Sequence, residues 1–139
     1  MSTIYDNLHL PNKQAGFVYI QGVAFPYPDY DSGLQTIATM VDSARTADGV
    51  VRGEKIGRDV GKVEMKWNVL PPDVWSAMLK IWDENFYFTL RYISMKDNDW
   101  VTRTFYVGDR TARPFLIDPV TNKPKYYIEC KANVVDVGL

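Results

Sequence analysis

Between Lys62 and Val69 the chain alternates without a break: Val63, Met65, Trp67 and Val69 are apolar, while Lys62, Glu64, Lys66 and Asn68 are polar. Successive side chains of a strand point to opposite faces, so this run is a strand with one dry face and one wet one. Pro71 and Pro72 end it, because proline cannot donate to a strand ladder. The period then changes. Trp75, Met78, Leu79 and Trp82 recur at i, i+3, i+4 and i+7, Val74, Ala77 and Ile81 widen the stripe, and Ser76, Lys80, Asp83 and Glu84 lie opposite. This spacing predicts one helix over about 71–85, with proline confined to its first turn and Asp73 at the positive end of its dipole. Val74, Trp75, Met78, Leu79 and Trp82 are the expected helix–sheet core.

The rest of the chain reads as strands and turns. Phe17–Ile20 is a short strand closed by Gly22 and a loop around Pro26, Pro28 and Gly33. Residues 34–45 carry partial helical spacing, but Thr36, Ile37, Thr39 and Val41 favour a strand, and the strand reading is preferred. Phe86–Met95 is a strand with Phe86, Phe88, Leu90 and Tyr92 on one side, and Asp97-Asn98-Asp99 turns it into a second strand, Trp100–Val107. Gly108-Asp109-Arg110 closes that hairpin, residues 111–125 are expected to be a proline-rich loop, and Tyr126–Val137 is the last strand. The expectation is therefore a single soluble α+β, mainly β domain over 1–139, with residues 1–16 as an arm.

Charge and residue inventory exclude several function classes. A net charge of −1 leaves no broad basic field for a nucleic-acid backbone, and sequence-specific nucleic-acid binding is not expected. The lone Cys130 falls within an apolar–polar alternation and reads as a buried free thiol; the lone His9 has no third member with which to build a thiol catalyst. Gly53–Gly61 has the wrong spacing for a phosphate loop. Asp29-Tyr30-Asp31-Ser32-Gly33 opens like a calcium loop, but its twelfth position is Met40 rather than a bidentate glutamate. No catalytic residue, cofactor-binding residue or metal ligand can be nominated, and an enzyme is not expected. Met1–Leu10 carries Asp6 and no apolar core of a leader, and no run approaches a membrane span.

The stretch 45–62 is the least ordinary. Asp48-Gly49 is a favoured hairpin turn, with Arg45 before it and Arg52, Glu54, Lys55 and Arg58 after it in a polar, glycine-punctuated run. It reads as an extended hairpin whose charges contact a neighbouring subunit; removing 50–59 is expected to leave a folded monomer that does not assemble. A binding module is the competing reading, with Tyr27, Tyr30 and Trp100 available to stack on sugar rings.

These motifs, in this order, resemble small tail proteins of long-tailed phages, prophages and phage-tail-like contractile particles. Arg45-Thr46-Ala47-Asp48-Gly49 fits an R-x-A-x-G turn, Lys62–Leu70 fits K-x-E-x-x-W-x-x-L, and Thr104–Asp109 reads T-F-Y-V-G-D. The resemblance covers about residues 44–110. It implies a virion structural protein of the tail tube, distal tail or baseplate, with two packed antiparallel sheets or a β-barrel flanked by one helix. It further implies a homo-oligomeric ring, usually hexameric, that contacts neighbouring tail proteins and is assembled in the bacterial host cytoplasm. The segment 1–33 and the loop 111–125 have no counterpart in the resemblance.

Overall fold

The computed structural model describes residues 16–39, 41–45, 51–55 and 57–138. Its elements are β1 (Tyr19–Ile20), β2 (Val23–Ala24), β3 (Leu34–Ala38), β4 (Val41–Arg45), β5 (Val51–Lys55), β6 (Val60–Leu70), α1 (Pro72–Glu84), β7 (Tyr87–Ser94), β8 (Asp99–Ile117) and β9 (Pro124–Asp136). The protein is mainly β. Seven strands form one antiparallel sheet in the order β2-β1-β7-β8-β9-β6-β3, and β4 and β5 pair separately.

The first hairpin turns at Gln21 (φ +50°) and Gly22 (φ +80°), the left-handed pair that matches strand twist in a two-residue turn. Gln21 does more than turn. Its backbone amide donates to Thr89 O, and its side-chain oxygen accepts from the Thr89 amide and hydroxyl. A second glutamine treats the same edge of β7 in the same way further along. Gln35 Nε2 donates to Ile93 O at 2.7 Å, and Gln35 Oε1 accepts from Met95 N at 2.8 Å. The carboxamide thereby takes the place of one residue of a pairing strand. Because β3 ends the sheet and β7 lies four positions away, a flat sheet would hold them about 19 Å apart. No glutamine spans that distance, so the sheet rolls until its β3 end meets β7.

The rolled interior is filled by Val63, Met65, Trp67, Phe88, Leu90, Phe105, Cys130 and Val134. α1 covers it with Val74, Trp75, Ala77, Met78, Ile81 and Trp82, all buried. Fully burying each large side chain contributes roughly 1.5–3 kcal/mol. Of the expected helix core, only Leu79 is partly buried, packed against the rim of the cluster. Phe25, directly after β2, packs on the helix with its ring 5.3 Å from the Trp82 ring, and Trp67 Nε1 donates to Pro26 O. The helix ends as Asn85 leaves the helical region and its Nδ2 returns to Ile81 O.

Four expectations are corrected. Residues 111–125 are not a loop: β8 runs unbroken to Ile117, β9 begins at Pro124, and only a tight turn closed by Asp118 N→Lys123 O separates them. Pro114 misleads because it sits where β8 has already parted from β7, whose last pair is Tyr87↔Tyr106; a proline is tolerated on such an open edge. Val69 is exposed and Leu70 takes its place in the core. The break lies opposite Glu129, whose φ of +53° interrupts the pleat of β9. Phe86 is exposed as well, stacked on Tyr106 outside the core. The preferred strand over 34–45 is two strands, β3 and β4. The N-terminal arm, apart from Gly16, and His9 lie outside the described residues.

Candidate functional site: the hairpin arm and its root

β3 and β6 pair with Ala38 opposite Val60; the chain then continues as β4 and β5, with Val41 opposite Lys55 and Arg45 opposite Val51. The leg leading into β4 has two residues between these ladders and the leg leaving β5 has four, so the register shifts by two. The break detaches the β4–β5 hairpin from the main sheet. Of the charged residues expected there, Arg45 ends β4, while Arg52 lies opposite Ala44, Glu54 opposite Asp42 and Lys55 opposite Val41. The Asp48-Gly49 turn lies outside the described residues.

The root of this arm is fastened twice. Thr39 Oγ1 donates to Asp59 Oδ1 at 2.7 Å, stitching one leg to the other. Arg58 then reaches back to the last strand of the main sheet as a two-pronged fork, Nη1 to Asp136 Oδ2 at 2.7 Å and Nη2 to Asp136 Oδ1 at 2.8 Å. The Asp136 side chain is 1% exposed and that of Arg58 32%. Asp136 also accepts from Gly138 N. Burial pushes the Asp136 carboxyl up, but the Arg58 hydrogen bonds and the amides of Gly138 and Gly61 more than offset it and hold it below its ordinary value. Arg58 is held above its own ordinary value, chiefly by the bond to Asp136. The neighbouring Tyr92 phenol is pushed up by burial and then by the Asp136 charge. Gly61 allows this crowding: a Cβ there would lie 3.1 Å from the Tyr92 hydroxyl.

A cleft of about 230 Å³ opens beside the root, lined by Gln35, Tyr92, Ser94, Lys96, Asp97 and Arg103 among others. Its central carboxylate is already saturated by a guanidinium, so it neither accepts a proton near neutral pH nor offers a free ligand oxygen. Cys130 is buried, and burial pushes its thiol up to about 11, which makes it a poor nucleophile. Among the described residues, no three His, Cys, Asp or Glu side chains gather to hold a metal. The Asp29–Gly33 run is a turn, with Ser32 N bonded to Asp29 O, and Asn98 turns the chain at φ +51°.

The aromatic trio considered for sugar stacking is brought together only in part. Tyr27 and Trp100 line one cleft of about 230 Å³ with Phe17 and Ile93, while Tyr30 stands fully exposed outside it. The Arg91 guanidinium already lies over the Trp100 ring at 4.9 Å. Sequence reasoning missed the two edge-capping glutamines and the clasp between Arg58 and Asp136, because nothing local pairs residues 58 and 136. Compared with known proteins, the chain matches no family model, no curated protein and no solved structure.

Proposed function

We propose that this protein is a non-enzymatic structural subunit of a phage tail or phage-tail-like particle, belonging to the tail tube, distal tail or baseplate, and that it assembles as a ring through intersubunit contacts of the β4–β5 arm. The observation that carries this reading is the arm's construction: a hairpin detached from the main sheet, its legs stitched by Thr39–Asp59 and its root clasped by Arg58–Asp136. A projecting element with a rigid base suits a docking arm, because less is lost in ordering it on contact. We read the rolled sheet with its single covering helix as the barrel-like body of a tail-tube type subunit, with Gln35 closing the seam.

The test removes the arm and spares its root. Residues 41–55 are replaced by Asn-Gly, leaving Thr39, Arg58 and Asp59 in place; a cut through 50–59 would take the clasp as well. Light scattering and negative stain are expected to show rings or stacked tubes for the parent chain and a folded monomer for the variant. Rings formed equally well without the arm would refute the assignment. A carbohydrate-binding module is the second reading, favoured by Tyr27 and Trp100 sharing one cleft; a glycan array that lights up for the monomer and goes dark with Trp100→Ala would support it.

A further inference from the structure

We propose that the turn end of the β8–β9 hairpin docks, head to tail, onto the β3–β7 seam of a second copy of this chain. The proposal rests on the ring reading above and names a surface that reading does not use.

The hairpin outruns the sheet that supports it. β7 leaves β8 after Tyr106, and β6 leaves β9 at Tyr127. Beyond those points the two strands pair only with each other, as far as Ile117↔Pro124, while Lys123 and Pro124 share a cleft with the start of α1. Exposed apolar side chains crowd that end beside Lys123 and Lys125: Phe115, Leu116, Ile117 and Tyr126 are each about half exposed, and Val120 is 90% exposed. Leu116 also sits at φ +57°. A bulky side chain in the left-handed region is strained, and such strain concentrates at functional contacts.

The seam is the second bare surface. β3 terminates the sheet, so its outer edge has no strand partner among the described residues. Residues 34–39, Leu-Gln-Thr-Ile-Ala-Thr, carry no charge to discourage pairing. Exposed Leu34, Ile37, Ile93 and Met95 surround the Gln35 latch. The opposite end of the sheet is protected by brevity, because β2 is only two residues long.

The areas match one interface. From the fractional exposures, the hairpin end offers on the order of 500 Å² and the seam on the order of 350 Å², each the size of a functional patch. Joined, they remove roughly 850 Å² of largely apolar surface, the apolar share of a standard interface of 1,200–2,000 Å². A hairpin-to-hairpin contact would leave the seam bare; a head-to-tail contact covers both patches once and, repeated, gives a ring if its rotation closes and an open string if it does not.

The test is complementation with the full-length chain. One variant carries Ile117→Asp and Val120→Asp, the other Ile37→Asp and Met95→Asp; all four side chains are exposed in the monomer, and unchanged circular dichroism and melting confirm that each variant folds. By sedimentation velocity across a concentration series, the parent chain self-associates and each variant alone needs at least about tenfold higher concentration to do so. An equimolar mixture restores one intact pair of surfaces and associates at concentrations where neither variant does alone. Either variant associating like the parent, a mixture that stays monomeric, or a parent chain monomeric to about 1 mM overturns the docking. Parent rings that survive both substitutions overturn the docking and leave the ring reading standing. Parent chains that associate through this contact into open strings without closing support the docking and count against the ring.

Discussion

Replacing Arg58 with methionine isolates the clasp at the arm's root. The stem packing is kept, the fork is lost, and Asp136, 1% exposed at its side chain, is left with only backbone donors. Breaking a fully buried ion pair costs 3–5 kcal/mol. Here the arginine is about a third exposed and Gly138 still donates, so the expected loss at pH 7 is about 2–3 kcal/mol, a fall of roughly 6–15 °C in melting temperature for a domain of this size. The pH dependence carries the stronger test. In the parent chain the Asp136 carboxyl is held below its ordinary value. Its contribution is therefore fully present above the unfolded value of about 3.9 and is lost as pH falls through the folded one. In Arg58→Met, burial dominates and the folded value moves above the unfolded one. The penalty then persists at all higher pH and disappears below about 3.9. The gap between parent and variant should be widest near neutrality and narrow toward pH 3. Urea unfolding at several pH values measures it, and adding Asp136→Asn to Arg58→Met should recover part of the loss at pH 7. A loss under about 0.5 kcal/mol, or one equal at pH 3 and pH 7, would show that the pair is not the fastening described.

Two further outcomes follow from the same geometry. Gln35→Leu keeps most of the volume but strips Ile93 O and Met95 N of their partner; a cost of about 1–2 kcal/mol is expected, with the Met95 amide exchanging its hydrogen far faster while Phe105 in the core is unchanged. If Met95 remains protected, the seam is held by something other than the glutamine. Cys130, with its thiol pushed up to about 11, is about one part in ten thousand thiolate at pH 7, so a thiol reagent should label it only as the chain unfolds; labelling at the rate of an exposed cysteine in native buffer contradicts its burial.

Local pattern alone was enough to specify the alternation of Lys62–Trp67 and the helical stripe from Val74 to Trp82, because both depend on a period that the neighbouring residues themselves create. The strand class of β7 was legible for the same reason, and the turn at Asp97–Asp99 because Asp and Asn bond their own backbone in turns. Position along the chain could not reveal what depends on a distant strand. Pro114 looked like a loop residue until its strand was seen to have an open edge. Val69 looked buried until Glu129, on the strand opposite, broke the pleat. Gln21 became an edge partner once β1 paired with β7, Gln35 only once the sheet had rolled, and Arg58, read from sequence as an arm charge for a neighbour, found Asp136 within its own chain. Periodicity along the chain determined which elements form and which face of each is dry. The register between strands, the roll that brings β3 to β7, and the long-range partners of single side chains were decided by packing, since these contacts join residues that no sequence window contains.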